Sequence, residues 1–267
     1  MAAGASLRAR PPRVAAATSA RVGRFPLVVV AAIVAAWLAA LAAQAAGAAS
    51  LLHHDALVEA GPPVWIALPV FLVAWQVMIA AMMLPSSLPL VRLFAAASAG
   101  QPRPGAAMAG FIGGYAIVWS VFGALAFLFD VGVHAAVDSS SWLNEHDWLL
   151  GGSVLALAGA FQFTKLKDAC LDKCRHPGHF LIRFYERGTA GGFRLGARHG
   201  VFCLGCCWAL MLVLFSVGVA SLAWMAVLTA LMVYEKTQPS GARSVPVTGI
   251  SLLGAASVVL LYSAFAT

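Results

Sequence analysis

The sequence predicts an all-α fold: a polytopic membrane helix bundle of about seven transmembrane helices, N-terminus cytoplasmic and C-terminus extracytoplasmic. Three observations predict it. Of the 267 residues, 61% are hydrophobic and only 10% charged, with a mean hydropathy of +0.88, whereas a soluble domain carries roughly a quarter charged residues. Apolar runs of about 20 residues, the length that crosses a hydrocarbon core as helix, recur along the whole chain. The charges also sort by side. With the N-terminus inside, all 17 Lys and Arg fall on the cytoplasmic face, as five before residue 25, two at 92–103, eight in 164–199 and two at 236–243. The opposite loops hold six acidic residues and no basic ones, which is the asymmetry of the positive-inside rule. The net charge of +7 therefore reports topology, not nucleic-acid binding.

Residues 1–24 are rich in Ala, Arg and Pro without apolar periodicity, and read as a disordered basic cytoplasmic tail. Residues 25–267 read as one transmembrane helical domain. Its first span runs from about Pro26 to Ala46. The run exceeds the 7–15 apolar residues of a signal-peptide core, so it reads as a retained helix. A polar loop with His53, His54, Asp55 and Glu59 follows. The second span, about Val64 to Leu84, is ended or kinked by Pro85 and Pro89. The third covers about Met108 to Phe129, where Gly113 and Gly114 favour close helix contact. The acidic loop 130–147 precedes a short fourth span, about Trp148 to Phe163.

Segment 164–199 reads as a cytoplasmic loop bearing cysteine and histidine. Within it GHFLIRFYERG suggests an interfacial amphipathic helix, and Gly188–Gly196 a flexible connection back to the membrane. From Gly200 to Tyr234 the chain is apolar for too long to be one span. Splitting it near 218–221 gives spans five and six, and keeps Lys236 and Arg243 inside. The seventh span is about Val245 to Ala266. Trp65, Trp142 and Trp148 sit where interfacial aromatic belts are expected.

This topology gathers the soft ligands on one face. At helical spacing His199, Cys203, Cys207 and Met211 form one row, with Cys206 beside it. Span four delivers Cys170 and Cys174 to the same level, and span two ends there with Met82 and Met83. All five cysteines thus lie within residues 170–207, where packing cysteines would scatter over the helices. Thiolate and thioether ligands select Cu(I), for which two or three sulfurs suffice. Zinc is the alternative, held by Cys170, Cys174, His176 and His179 in the loop. Cytosolic thiols stay reduced, so structural disulfides are not expected. A transient relay of Cys206 and Cys207 with Cys170 or Cys174 remains a redox alternative. Glu235 and Lys236 read as a snorkelling interfacial pair, or as a carboxylate facing the thiols. His53, His54, His134 and His146 read as solvated polarity on the outer side.

Four phrases carry a family resemblance over spans two to six: Trp75–Pro85 (WQVMIAAMMLP), Phe161–Pro177 (FQFTKLKDACLDKCRHP), Gly196–Met211 (GARHGVFCLGCCWALM), and Trp224-Met225 with Glu235-Lys236. In these the chain resembles a bacterial family of predicted metal-binding integral membrane proteins. Lys165 departs from the pattern, which has proline there. The resemblance implies metal binding, with neither transport nor catalysis specified.

No nucleotide-binding, hydrolase or zincin motif occurs, and only Gln76 and Gln162 add strong polarity within the spans. The expectation is a multi-pass protein of a bacterial inner membrane that binds Cu(I) at the cytoplasmic interface as acceptor, chaperone or transporter. Its partners would be the bilayer, the ion and a copper donor or acceptor protein. A membrane thiol–disulfide oxidoreductase and a zinc-binding structural protein are the competing classes.

Overall fold

The computed structural model describes residues 13–47, 57–58, 62–217 and 221–266. The regular elements, all helices among the described residues, are α1 (Arg13–Ala45), α2 (Val64–Met82), α3 (Leu84–Ser98), α4 (Pro104–Ser139), the short α5 (Ser141–Glu145) and α6 (Trp148–Phe161). They continue as α7 (Lys165–Arg175), α8 (Pro177–Phe184), α9 (Gly188–Val217), α10 (Leu222–Thr237) and α11 (Gly241–Ala266). The loop with His53, His54, Asp55 and Glu59, and residues 1–12 of the expected tail, lie outside the described residues. Residues 13–24 are the first turns of α1.

Among the described residues five helices are long and apolar enough to cross a membrane: α2, α4 and the apolar stretches of α1, α9 and α11. A sixth is added if α6 and α7, bent by 65° at their junction, make one broken span. The expected seven is therefore not reached on length. α10 has 16 residues, a rise of about 24 Å against a core of about 30 Å, because Glu235 and Lys236 cut its apolar run short. The outer faces are as apolar as the interior, with Leu125, Ile250 and Phe265 62%, 66% and 87% exposed. A bilayer, unlike water, covers such surface without penalty.

Proline and threonine set several of the helix starts. Pro85, Pro104 and Pro177 stand in the first turns of α3, α4 and α8, where a missing N–H costs nothing. Thr164 caps α7 by accepting from the Lys167 amide at 3.2 Å. Lys165 is the first helical residue after that cap. Proline suits that position too, so the departure from the family pattern leaves the local shape intact.

The centre of the bundle is the contact of α4 with α9. A Cβ at Gly110 or Gly114 of α4 would overlap backbone of α9 at Thr189 or Phe193, and one at Gly192 or Gly196 of α9 would overlap the carbonyl of Ala107 or Phe111. Two backbones touch along these turns, the arrangement that small residues permit in membranes. The run Gly188–Gly196 is thus no flexible connection, as its composition suggested, but the packed first turns of α9. Gly114 makes the contact expected of the Gly113-Gly114 pair, while Gly113 faces open space. Around this seam Phe71, Trp75, Phe94, Phe111, Trp119 and Phe127 are fully buried. The Trp75 indole lies where Gly123 leaves room and donates to the Trp119 carbonyl at 2.9 Å.

Gly196→Val forces the two backbones apart, and its cost is at least the ~1–3 kcal/mol of ordinary overpacking. Thermal unfolding in detergent should register it as a fall in Tm of several degrees. Gly113→Ala, which meets nothing, should leave Tm level or raised.

Candidate metal centre

The site begins with the helical register of α9. Residues four apart lie on one face, so the turn after the glycine seam presents His199, Cys203, Cys206, Cys207 and Met211 inward, and all five are buried. Two breaks in the chain bring other helices onto this face. The bend of 65° between α6 and α7 lays α7 across α9. There Gly205 leaves space for the Cys170 sulfur, which a Cβ would approach to 2.6 Å. One turn on, Cys174 stands beside Cys206. The second break separates α2 from α3 at Met83. In the first turn of α3 the hydroxyls of Ser86 and Ser87 donate to the Met83 carbonyl at 2.9 and 3.2 Å.

These breaks place one thioether and two hydroxyls among the thiols. Met83 Sδ lies 3.8 Å from Cys207 Sγ. Ser87 Oγ lies 3.0 Å from His199 Nε2, and Ser86 Oγ accepts from Lys236 Nζ at 3.4 Å. His199 is further enclosed by the rings of Phe111, Tyr115 and Phe180 at 6.1, 5.5 and 5.8 Å. Met82 and Met211 are fully buried in the same core.

Lys236 is the largest departure from the sequence reading. It does not snorkel: it is 5% exposed, and its ammonium lies 3.2 Å from Cys203 Sγ and 3.9 Å from Cys207 Sγ. Cys203 Sγ also lies 3.2 Å from the Tyr115 hydroxyl. Glu235 turns the other way and binds Lys167 at 2.8 Å, with both side chains buried. Glu235 Oε1 has no hydrogen-bond partner among the described residues. Arg175 closes the end of α10, donating to the carbonyls of Glu235 and Pro239, as basic side chains do at helix C-termini.

The five cysteines are therefore gathered on the α7–α9 contact. The loop set of Cys170, Cys174, His176 and His179 is not assembled. His176 is exposed, lies 3.1 Å from the Asp172 carboxylate and stacks on His179 at 6.0 Å. On the other face His134 bonds the Asp130 carbonyl at 3.0 Å and His146 the Trp142 carbonyl at 2.7 Å, each within its own turn. Among the described residues no group of three or more His, Cys, Asp or Glu side chains is set to hold a metal ion as it stands. The thiols are aimed at the protein instead: Cys206 and Cys207 both donate to the Cys203 carbonyl, at 3.0 and 2.8 Å.

Lys167, Lys236, Tyr115, Ser86 and Ser87 are the participants that sequence reasoning missed. One signal was available. Lys236 follows an apolar run of α10 without a flanking loop, and a cation at that depth needs a partner.

The family model described as PpoB2, copper chaperone, matches residues 72–259. The chain belongs to this copper chaperone family. The match covers α3 to α10 and most of α2 and α11, with all five cysteines, Met83, Lys167, Glu235 and Lys236 inside it, and α1 outside it. No curated protein and no solved structure matches the chain.

The buried Lys167–Glu235 pair yields a stability prediction. Lys167→Met leaves Glu235 buried without its partner and should cost about 3–5 kcal/mol, whereas Lys167→Met with Glu235→Leu should recover most of it. Chemical or thermal unfolding of both variants in detergent measures the difference.

Proposed function

We propose that this chain is an integral membrane Cu(I) acceptor and donor, holding the ion on the α7–α9 thiols at the cytoplasmic end of the bundle. The observation that carries the reading is the convergence of four buried cysteines, the half-buried Cys174 and the Met83 thioether, in a chain belonging to a copper chaperone family. Sulfur donors of this kind suit Cu(I), which is satisfied by two or three of them. Cys203, Cys206 and Cys207 form the core of the ligand set. Cys174 and Cys170 complete it from α7, Met82, Met83 and Met211 line it with thioethers, and His199 flanks it through its bond to Ser87. Delivery to a partner is favoured over pumping because the side-chain amides of Gln76 and Gln162 donate within the bundle, although Gln162 Oε1 has no hydrogen-bond partner among the described residues. Gln76 donates to Ala116 O and Ser120 Oγ at 3.1 and 2.7 Å, and Gln162 to Ala158 O at 3.0 Å.

The topology of this proposal takes α10 as a short sixth crossing, the bent α6–α7 pair as the fourth and α11 as the seventh. It keeps the N-terminus and all Lys and Arg inside a bacterial inner membrane, with the C-terminus outside. The Lys167–Glu235 and Arg175–Glu235 contacts tie α7 to the end of α10 at one level, as that topology requires.

Anaerobic Cu(I) titration of detergent-purified protein against a chromophoric chelator tests the reading. Stoichiometric binding is expected in wild type. It should weaken at least tenfold in Cys203/Cys206/Cys207→Ser, and measurably in Cys170/Cys174→Ser. Wild-type protein that leaves Cu(I) with the chelator contradicts it. Zinc bound and lost only with Cys170 and Cys174 would return the site to the loop.

A further inference from the structure

We propose that Lys236 sets the charge selectivity of the thiol site, matching it to a monovalent soft ion and against a divalent one. The inference rests on the metal-binding reading above and names the residue that decides which charge the site accepts.

The ammonium of Lys236 has three N–H donors and no acceptor. Three acceptors surround it: Cys203 Sγ at 3.2 Å, Ser86 Oγ at 3.4 Å and Cys207 Sγ at 3.9 Å. No carboxylate is among them, since the neighbouring Glu235 is engaged by Lys167 on the other side. Among the described residues, the sulfurs are thus the groups in contact with this cation that can carry an opposite charge. A buried charge without an opposite charge is strongly disfavoured, so the sulfur cluster and the lysine form one electrostatic unit.

The charge count follows. When an ion replaces two thiol protons, two thiolates contribute −2 in all. A monovalent ion leaves −1, which the lysine brings to zero. A divalent ion bound by the same two thiolates is already neutral, and the lysine then leaves an uncompensated +1 inside the bundle. With Cys206 as a third thiolate the divalent ion would be neutral again, so the selectivity is that of the two sulfurs beside the ammonium, Cys203 and Cys207, which suffice for a soft monovalent ion. Softness of the ligands favours Cu(I) over Zn(II) on its own; the lysine acts on charge, independently of softness.

Ag(I) and Cd(II) separate the two effects, since both are soft and they differ in charge. Their affinities are measured by competition with small-molecule thiols for wild type, Lys236→Leu and Lys236→Gln in detergent. Both variants should lose at least tenfold in Ag(I) affinity while Cd(II) affinity holds or rises, so that the Ag(I)/Cd(II) ratio falls at least tenfold. A variant that weakens both ions equally assigns Lys236 a packing role and overturns the inference, as does a wild type that prefers Cd(II). The Leu and Gln variants differ in how they fill the space, so a ratio that moves in only one of them also counts against it. Wild-type protein that binds neither ion defeats the underlying metal-binding reading instead, and is thereby told apart.

Discussion

The contact between the backbones of α4 and α9 is the constraint on which the rest depends. Side chains are missing at Gly110, Gly114, Gly192 and Gly196, where a Cβ would strike the opposite backbone. This brings the two longest inner helices together along several turns and fixes the rotation of α9 about its axis. Once that rotation is fixed, the next turns of the same helix must point His199, Cys203 and Cys207 toward α3 and α10. The thiols are positioned by glycines two turns away, in a part of the chain whose composition suggested flexibility.

Two interruptions then complete the site. A continuous α2–α3 helix would carry Ser86 and Ser87 on past α9 and α10, and a continuous α6–α7 helix would carry Cys170 and Cys174 away from α9. Instead the break at Met83 supplies Ser86 to Lys236 and Ser87 to His199, and the bend after Gln162 lays the α7 cysteines on Gly205 and beside Cys206. Irregular backbone deep in a bundle is tolerated where other groups take up its polar atoms. Here the missing N–H of Pro85 leaves the Ala81 carbonyl without its helical donor, and Trp37 Nε1 donates to it at 3.1 Å.

Much of this was legible in the residues. The helical register of 199–211, the Pro85 stop and the amphipathic segment that became α8 all follow from spacing and proline chemistry. The gathering of cysteines was legible through the sidedness of Lys and Arg, which put 170–174 and 203–207 at one level before any contact was known. What spacing does not encode is which way a charged side chain turns. Lys236 and Glu235 are neighbours at a helix end, where snorkelling is the usual outcome. Here one turns to the thiols and the other to Lys167, because α7 crosses over that end and closes it off from water. The α9 side of the glycine seam was missed for a related reason: a run of glycines looks the same in a linker and in a tight helix contact.

The account stands or falls on sulfur coordination of copper in the folded protein. X-ray absorption at the copper edge of anaerobically loaded, detergent-purified protein reads the first shell directly. The account predicts Cu(I) with a low-coordinate shell dominated by sulfur. A shell dominated by nitrogen or oxygen scatterers would place the ion on exposed histidines such as His176 and His179, and would contradict it.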